Sequence, residues 1–382
     1  MLDVLHVWDE YVAMERKDLH SEMRRHPDVR SRQLVHRLQM TGAPMPAGTL
    51  PLVTVAAEAA APGRASRLRS RMASVVSGMR FRAFLDRQIR ARRPDVLHGH
   101  FGTTAWAVSA VAARHRIPLV ASFYGVDVSE TIRHPRWRRR YATLFRRASA
   151  LVVLCEEARD RLSALGCPDA KLHVWNNPVD LAAYEHRSRA PGPTTRLIVA
   201  ARFVEKKGYP FLLRACAEVA RTRSVTLTAV GYGPLRREIA AEAERLGLAG
   251  RFRLVDTAGM KDFDGFYSGI LQEHDIFVLP STTARSGDDE GGPALSLVLA
   301  QAAGLPVICT PFVGAARTVI DGETGLFCRQ DDAASLAERI AYLADRPALG
   351  NRLGAAGSAL VRSGFDYTGQ VEAMLGIYRA VA

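Results

Sequence analysis

Short runs of Val, Leu, Ile and Ala recur along the chain, each followed by a longer stretch of helical spacing, and this alternation restricts the fold more than any other feature. The runs Val4–Trp8, Val96–His98, Leu119–Phe123, Ala150–Leu154 and Leu172–Trp175 are apolar throughout or nearly so. Strands of that kind belong to a parallel sheet covered on both faces by crossover helices. A cluster of Pro, Gly, Arg and Ser at His186–Thr195 breaks the pattern, which restarts with Leu197–Ala201, Val225–Val230, Phe252–Val255, Ile276–Leu279 and Val307–Cys309. The class is α/β, and 382 residues suit two domains, each with its own core. The expected boundaries are 1–187 and 195–366, with a separate closing segment at 367–382. Two such sheets in tandem leave a crevice between the carboxyl ends of their strands, where ligands bind.

Three loops at strand ends carry chemistry. Arg202 and Lys207 lie between the strand ending near Ala201 and a helix beginning near Gly208. Fixed cations there would stabilise a departing diphosphate more than the intact donor; the alternative is a pair of solvated loop charges. In the next loop Gly231, Tyr232 and Gly233 open a helix, and glycines there serve either a ligand approaching the backbone or a tight turn. The third loop carries Asp288, Asp289, Glu290, Gly291 and Gly292, with Pro293 expected as the first residue of a helix. The amides at that helix start would bind an anion and Glu290 would orient sugar hydroxyls; the alternative is capping of the helix by the acidic residues.

The chain resembles the family 4 glycosyltransferases of the GT-B fold, in particular bacterial enzymes of exopolysaccharide, lipopolysaccharide and colanic-acid type. The resemblance rests on Arg202-Phe-Val-Glu-Lys-Lys-Gly, Val230-Gly-Tyr-Gly-Pro-Leu-Arg, Glu290-Gly-Gly-Pro and Gln301-Ala-Ala-Gly-Leu-Pro-Val, in the family's order. His98-Gly-His-Phe-Gly, Ser122-Phe-Tyr-Gly-Val-Asp and Asn177-Pro-Val-Asp add to it. It implies two Rossmann-like domains with an interdomain cleft, and a retaining, metal-independent transfer from a nucleotide-diphospho-sugar to a saccharide or lipid-linked saccharide. No cofactor is implied beyond the co-substrate. Arg202, Lys207 and Glu290 would be catalytic. Gly231, Tyr232, Gly233, Gly291, Gly292, Pro293 and Leu299 would line the donor site, and His100, Tyr124, Gly125 and Asp127 the acceptor side. The final helix, about Tyr367–Ala380, would cross back onto the first domain.

The chain departs from the family at several points. Leu299 stands where relatives carry a second glutamate that accepts hydrogen bonds from the donor ribose, and losing that acceptor weakens binding by about 1.5–3 kcal/mol. Tyr124 stands where many relatives have histidine. Asp9–Glu15 replaces a common glycine pair, and the order Gly292-Pro293-Ala294 differs from the usual alanine before proline. The alternative is therefore a chain that keeps the fold as a catalytically impaired partner of another transferase. A hydrolysing sugar-nucleotide epimerase would need further acid and base residues in the cleft, and no cluster supplies them.

The formal charge of +13 is concentrated in Arg64–Arg93 and Arg133–Arg147. No helix-turn-helix, zinc-finger or RNP pattern accompanies it, which excludes the usual nucleic-acid binders. An anionic membrane surface is one partner for this face, and solvation by arginine in place of lysine is the other explanation. Neither a membrane span nor a signal peptide is expected, so the chain is read as cytoplasmic, at the inner membrane face if it docks. Cys155, Cys167, Cys216, Cys309 and Cys328 are too scattered for a metal site or disulfide framework and read as reduced, mostly buried thiols.

Overall fold

The computed structural model describes residues 1–12, 23, 26–39, 49–51, 64–258, 260 and 263–382. Among them, a seven-stranded sheet is built from β1 (Leu2–Val12), β2 (Val29–Gln39), β3 (Thr49–Pro51), β4 (Val96–His100), β5 (Leu119–Ser122), β6 (Ala150–Val153) and β7 (Leu172–Val174), in the spatial order β3-β2-β1-β4-β5-β6-β7. A second, six-stranded sheet uses β8 (Thr195–Ala200), β9 (Val225–Gly231), β10 (Phe252–Asp256), β11 (Ile276–Leu279), β12 (Val307–Cys309) and β13 (Leu326–Phe327), in the order β10-β9-β8-β11-β12-β13. Neighbouring strands pair in parallel, as in β1 with β4 and β8 with β11. Both orders reverse once, between β1 and β4 and between β8 and β11. An open parallel sheet takes its ligand at the carboxyl ends beside such a reversal.

The apolar runs form these strands because helices bury them from both sides. Leu197, Ile198 and Val199 of β8 are fully buried, as are Phe277, Val278 and Leu279 of β11. One core cluster joins them to Leu212 and Leu213 of the helix Tyr209–Val219 and to Leu297 and Ala300 of the helix Leu295–Ala302. The first sheet has one apolar cluster on each face. Leu5, Val7, Leu97 and Leu119 pack with Ala105 and Val108 of the helix Gly102–His115. On the other face Val4, Val96, Val120 and Val152 pack with Val371, Met374, Leu375 and Tyr378 of the last helix, Tyr367–Val381. Burying residues such as Val371 and Leu375 contributes about 1.5–3 kcal/mol each, which fastens the chain's end to the sheet its beginning built.

Strand β2 is not evident as an apolar run, because Arg30, Arg32 and Gln33 interrupt it. It lies one strand from the sheet edge, with Arg32 held by the Asp3 carboxylate at 2.8 Å. The two-residue β13 is too short to stand out. The helix expected to begin at Pro293 begins at Leu295, with Ala294 as the residue before its first turn. Pro293 lies in the approach, where Gly314 backs directly onto Gly292 and the Pro293 nitrogen. Ala13–Glu15 of the Asp9–Glu15 segment lie outside the described residues.

Candidate active site

Four segments meet beyond the two strand-order reversals: the ends of β8 and β11 from the second sheet, and the ends of β4 and β5 from the first. After β8 the chain makes a short turn at Glu205–Lys207 and enters the helix Tyr209–Val219 at Gly208. Gly208 has φ 67°, and a Cβ there would collide with the Pro280 carbonyl oxygen. Only glycine lets this turn close onto the end of β11. That approach brings Lys207 to the loop that follows β11, where its ammonium forms an ion pair with Glu290 Oε1. Ser281 Oγ donates to the same oxygen at 2.8 Å, so Oε2 takes neither bond. Burial alone would raise the Glu290 carboxyl. The charges of Lys207 and Lys206, with hydrogen bonds from Lys207 and Ser281, outweigh it and hold the group below its ordinary value. A buried, ionised carboxylate thus stands beside a buried cation at the mouth of the crevice.

The two expected cations therefore differ. Arg202 is exposed at the end of β8. Lys207 is 9% exposed and paired, which overturns its reading as a solvated loop charge. The acidic residues of the third loop do not cap the following helix. Asp288 accepts from Lys206 Nζ at 3.0 Å, and Lys206 also donates to the Asp289 carbonyl at 2.8 Å. Asp289 reaches across to the first sheet's domain, where Arg161 holds both its carboxylate oxygens at 3.1 and 2.8 Å. Gly291 sits so close to Gly125 and the Tyr124 carbonyl that a Cβ would strike their backbone, and Gly292 packs on Leu154.

Gly231 and Gly233 lie against the backbone of Ala201 and Phe203, and the Tyr232 carbonyl accepts from Phe203 N at 2.7 Å. Steric need at the meeting of two loops accounts for both glycines. Leu299, 7% exposed, belongs to the core of the second sheet.

On the facing side, the first-sheet loop after β5 is built by Asp127. Its carboxylate accepts from the amides of Tyr124 at 2.9 Å, Gly125 at 2.8 Å and Gly102 at 3.0 Å. Burial pushes its pKa up against those donors. Asp127 is 1% exposed and ties the loop after β5 to the start of the helix Gly102–His115. His100 is fully buried, bonded through Nδ1 to the Tyr124 hydroxyl at 2.6 Å and stacked on Trp8 with centroids 3.7 Å apart. Tyr124 is half-buried next to Phe101, a non-glycine residue held at φ 70°. Strained backbone of that sort concentrates at ligand sites.

His6, His98 and His100 bring ring nitrogens close enough to suggest a metal centre, the one such group among the described residues. The ring geometry does not fit an ion. His98 and His100 are stacked at 4.1 Å, while His6 and His100, 17° from coplanar, meet through a 2.8 Å hydrogen bond between His6 Nδ1 and His100 Nε2. The second His100 nitrogen is bonded to Tyr124, so these nitrogens face bonding partners and not a common ion. His98 bonds Ser122 and Tyr378, and burial pushes its pKa down to about 3, so it is a neutral core residue. The sequence gives no local sign of Ser281, Lys206, Arg161 and His6, whose parts depend on partners 9, 83, 128 and 94 residues away.

Two parallel sheets facing across a crevice, with a buried Lys–Glu pair on one lip and a Tyr–Gly loop on the other, define the GT-B class of two-domain glycosyltransferase fold. Solved structures agree: HepE from Anabaena in complex with UDP superposes with a TM-score of 0.74 at 16% identity, covering 99% of this chain and all of that one. The lipopolysaccharide outer core galactosyltransferase WaaB in its apo form gives 0.71 at 10% identity, with 99% of each chain covered. A model described as Glycosyltransferase Family 4 matches residues 45–183, and one described as Glycosyl transferases group 1 matches residues 194–346. The chain belongs to glycosyltransferase family 4. It is 32% identical over 255 residues to a protein of Salmonella typhimurium named as the colanic acid biosynthesis glycosyltransferase WcaL, and 29% identical over 220 residues to the amylovoran biosynthesis glycosyltransferase AmsK of Erwinia amylovora. Those matches cover 65% and 57% of this chain, and 61% and 53% of the relatives' own length.

Proposed function

We propose that the protein is a retaining, metal-independent glycosyltransferase that moves a sugar from a nucleotide-diphospho-sugar to a saccharide or lipid-linked saccharide in cell-surface polysaccharide biosynthesis. The buried Lys207–Glu290 pair at the β8/β11 reversal, opposite Tyr124, carries this reading. The nucleotide lies on the second sheet, near Gly231–Gly233 and the helix Leu295–Ala302. Arg202 and Lys207 face the diphosphate and stabilise the charge it gains on leaving. Glu290, kept ionised, accepts from hydroxyls of the transferred sugar through Oε2. The leaving phosphate takes the acceptor's proton on the same face, so the cleft needs no separate base, and the two cations take the part a divalent ion plays in other transferases.

The acceptor reaches the site from the first domain's basic side. In the helix Pro135–Arg147, Tyr141, Leu144 and Phe145 are buried while Arg136, Arg138, Arg139, Arg146 and Arg147 are exposed. Each such arginine near an anionic surface is worth about 1 kcal/mol, which suits docking at the inner face of the cell membrane. Among the described residues no helix is long and apolar enough to cross a membrane.

The test is incubation with nucleotide-sugars and a lipid-linked saccharide fraction, with the anomeric configuration of the product read by NMR. Release of nucleoside diphosphate with retained configuration, undiminished by a chelator, is the expected result; inversion or loss with chelator would overturn the mechanism. A second reading, a non-catalytic partner of another transferase, is favoured by Leu299, whose apolar side chain cannot accept from a ribose. Nucleotide binding without turnover on any acceptor would select it.

A further inference from the structure

We propose that His6 and His100 form a buried relay that sets the direction of the Tyr124 hydroxyl, making His6 a positioning residue for whatever sugar hydroxyl Tyr124 meets. The inference rests on the transfer reading above for the identity of that partner. The sheet itself builds the relay. In the β1/β4 pairing His6 lies opposite His98 and Trp8 opposite His100, and in β4/β5 His100 lies opposite Ser122. Successive side chains alternate between faces, so His6, Trp8, His98, His100 and Ser122 share one face. At the amino ends of the same strands that face is apolar, with Val4, Val96 and Val120 under the last helix. Polar and aromatic residues replace valine only toward the carboxyl ends, where the ligand crevice lies.

The bonds run in one line. His6 Nδ1 and His100 Nε2 share a hydrogen bond of 2.8 Å, and His100 Nδ1 and the Tyr124 hydroxyl one of 2.6 Å. His6 and His100 are fully buried, which disfavours the charged form, and a neutral imidazole has one N–H and one bare nitrogen. Only two proton orders satisfy the line. In the first, Tyr124 donates to His100 Nδ1 and His100 Nε2–H donates to His6 Nδ1, so Tyr124 turns lone pairs away from His100. In the second, His6 Nδ1–H donates to His100 Nε2 and His100 Nδ1–H donates to Tyr124, whose own hydrogen then points away from His100. The two orders hold the same number of protons and no net charge. Tyr124 therefore meets a sugar hydroxyl either as acceptor or as donor, with both ring tautomers set together. Trp8, stacked within 2° of the His100 plane, keeps the ring from turning out of the line, and Phe101 lies 4.9 Å from the Tyr124 ring.

The test is a double-mutant cycle in the full chain with His6→Phe, which keeps a ring in the stack, Tyr124→Phe, and both together. Each single change is expected to lower kcat/KM about ten-fold, and the double variant to fall no further than the worse single. Multiplying losses would show that His6 acts through the fold and not through Tyr124, and would overturn the proposal. A second measurement does not depend on turnover: long-range proton–nitrogen NMR of the histidine rings. Tyr124→Phe is expected to shift the Nδ1 signals of both His100 and His6, and an unmoved His6 signal would also overturn it. Coupled ring signals in a protein that transfers no sugar would leave the relay standing and remove the transfer reading.

Discussion

Replacing Lys207 by methionine keeps the length of the side chain and removes its charge, and the structure says what is left behind. Glu290 is 8% exposed, its Oε1 already bonded to Ser281 at 2.8 Å, while Lys206 stays engaged with Asp288 and the Asp289 carbonyl. A buried carboxylate deprived of its partner costs about 3–5 kcal/mol, a large share of the roughly 5–15 kcal/mol by which a protein of this kind is stable. Lys207→Met should lose that much near neutral pH in urea unfolding, besides losing turnover. The pH dependence fixes the cause. In the parent protein Glu290 titrates below its ordinary 4.5, so the pair's contribution is complete above that value and fades as pH falls through the folded-state pKa. In Lys207→Met burial is opposed only by the Lys206 charge and the Ser281 bond, so the carboxyl titrates higher than in the parent, and the variant's deficit should widen as pH rises above the parent's folded-state pKa and narrow below it. Adding Glu290→Gln removes the stranded charge and should restore most of the stability but no turnover. A Lys207→Met protein as stable as the parent, or a deficit independent of pH, would refute the buried-pair argument.

Arg202→Ala should behave differently, because Arg202 is exposed: stability within about 0.5 kcal/mol of the parent, and diphosphate affinity lower by ten-fold or more in calorimetry. Gly291→Ala places a methyl group against the backbone of Gly125 and Tyr124; turnover should collapse while nucleotide binding to the second sheet persists, and equal loss of both would show that the contact is not one between the two lips. Arg161→Met cuts the clasp between Asp289 and the first domain and leaves the Lys207–Glu290 pair in place, so kcat should fall more than donor affinity. Leu299→Glu should tighten nucleotide binding by about ten-fold if a ribose contact is all that is missing, at some expense in stability since it enters an apolar core; no tightening would mean a pocket built around leucine.

Burial on both faces made the architecture readable: β11, at Ile276–Leu279, and β12, at Val307–Cys309, are where their apolar runs place them. Near the sheet edge, where Arg30 and Arg32 find partners or solvent, the signal failed and β2 went unseen. The meeting of the strand-end loops was readable where glycine and charge sit together, as at Lys207, Gly208 and Glu290, which the structure brings into contact. It was not readable where a side chain's partner lies far along the chain. Asp127, expected on the acceptor side, is bound to two amides of its own loop and to that of Gly102. Capping was the alternative reading of Asp288 and Asp289, and their partners are Lys206 and Arg161. A loop's charges can be read along the chain, but their partners are fixed by the register of the sheet and the meeting of two domains.

The most direct test of the central claim, a nucleotide-sugar held at the Lys207–Glu290 lip, is a calorimetric titration of the protein with UDP-, GDP-, ADP- and CDP-sugars and their free diphosphates. Saturable binding of one nucleotide, weakened ten-fold or more by Arg202→Ala and lost in Glu290→Gln only for the sugar-bearing form, is the predicted result. A folded protein that binds none of them, or binds one equally well without Arg202, would contradict it.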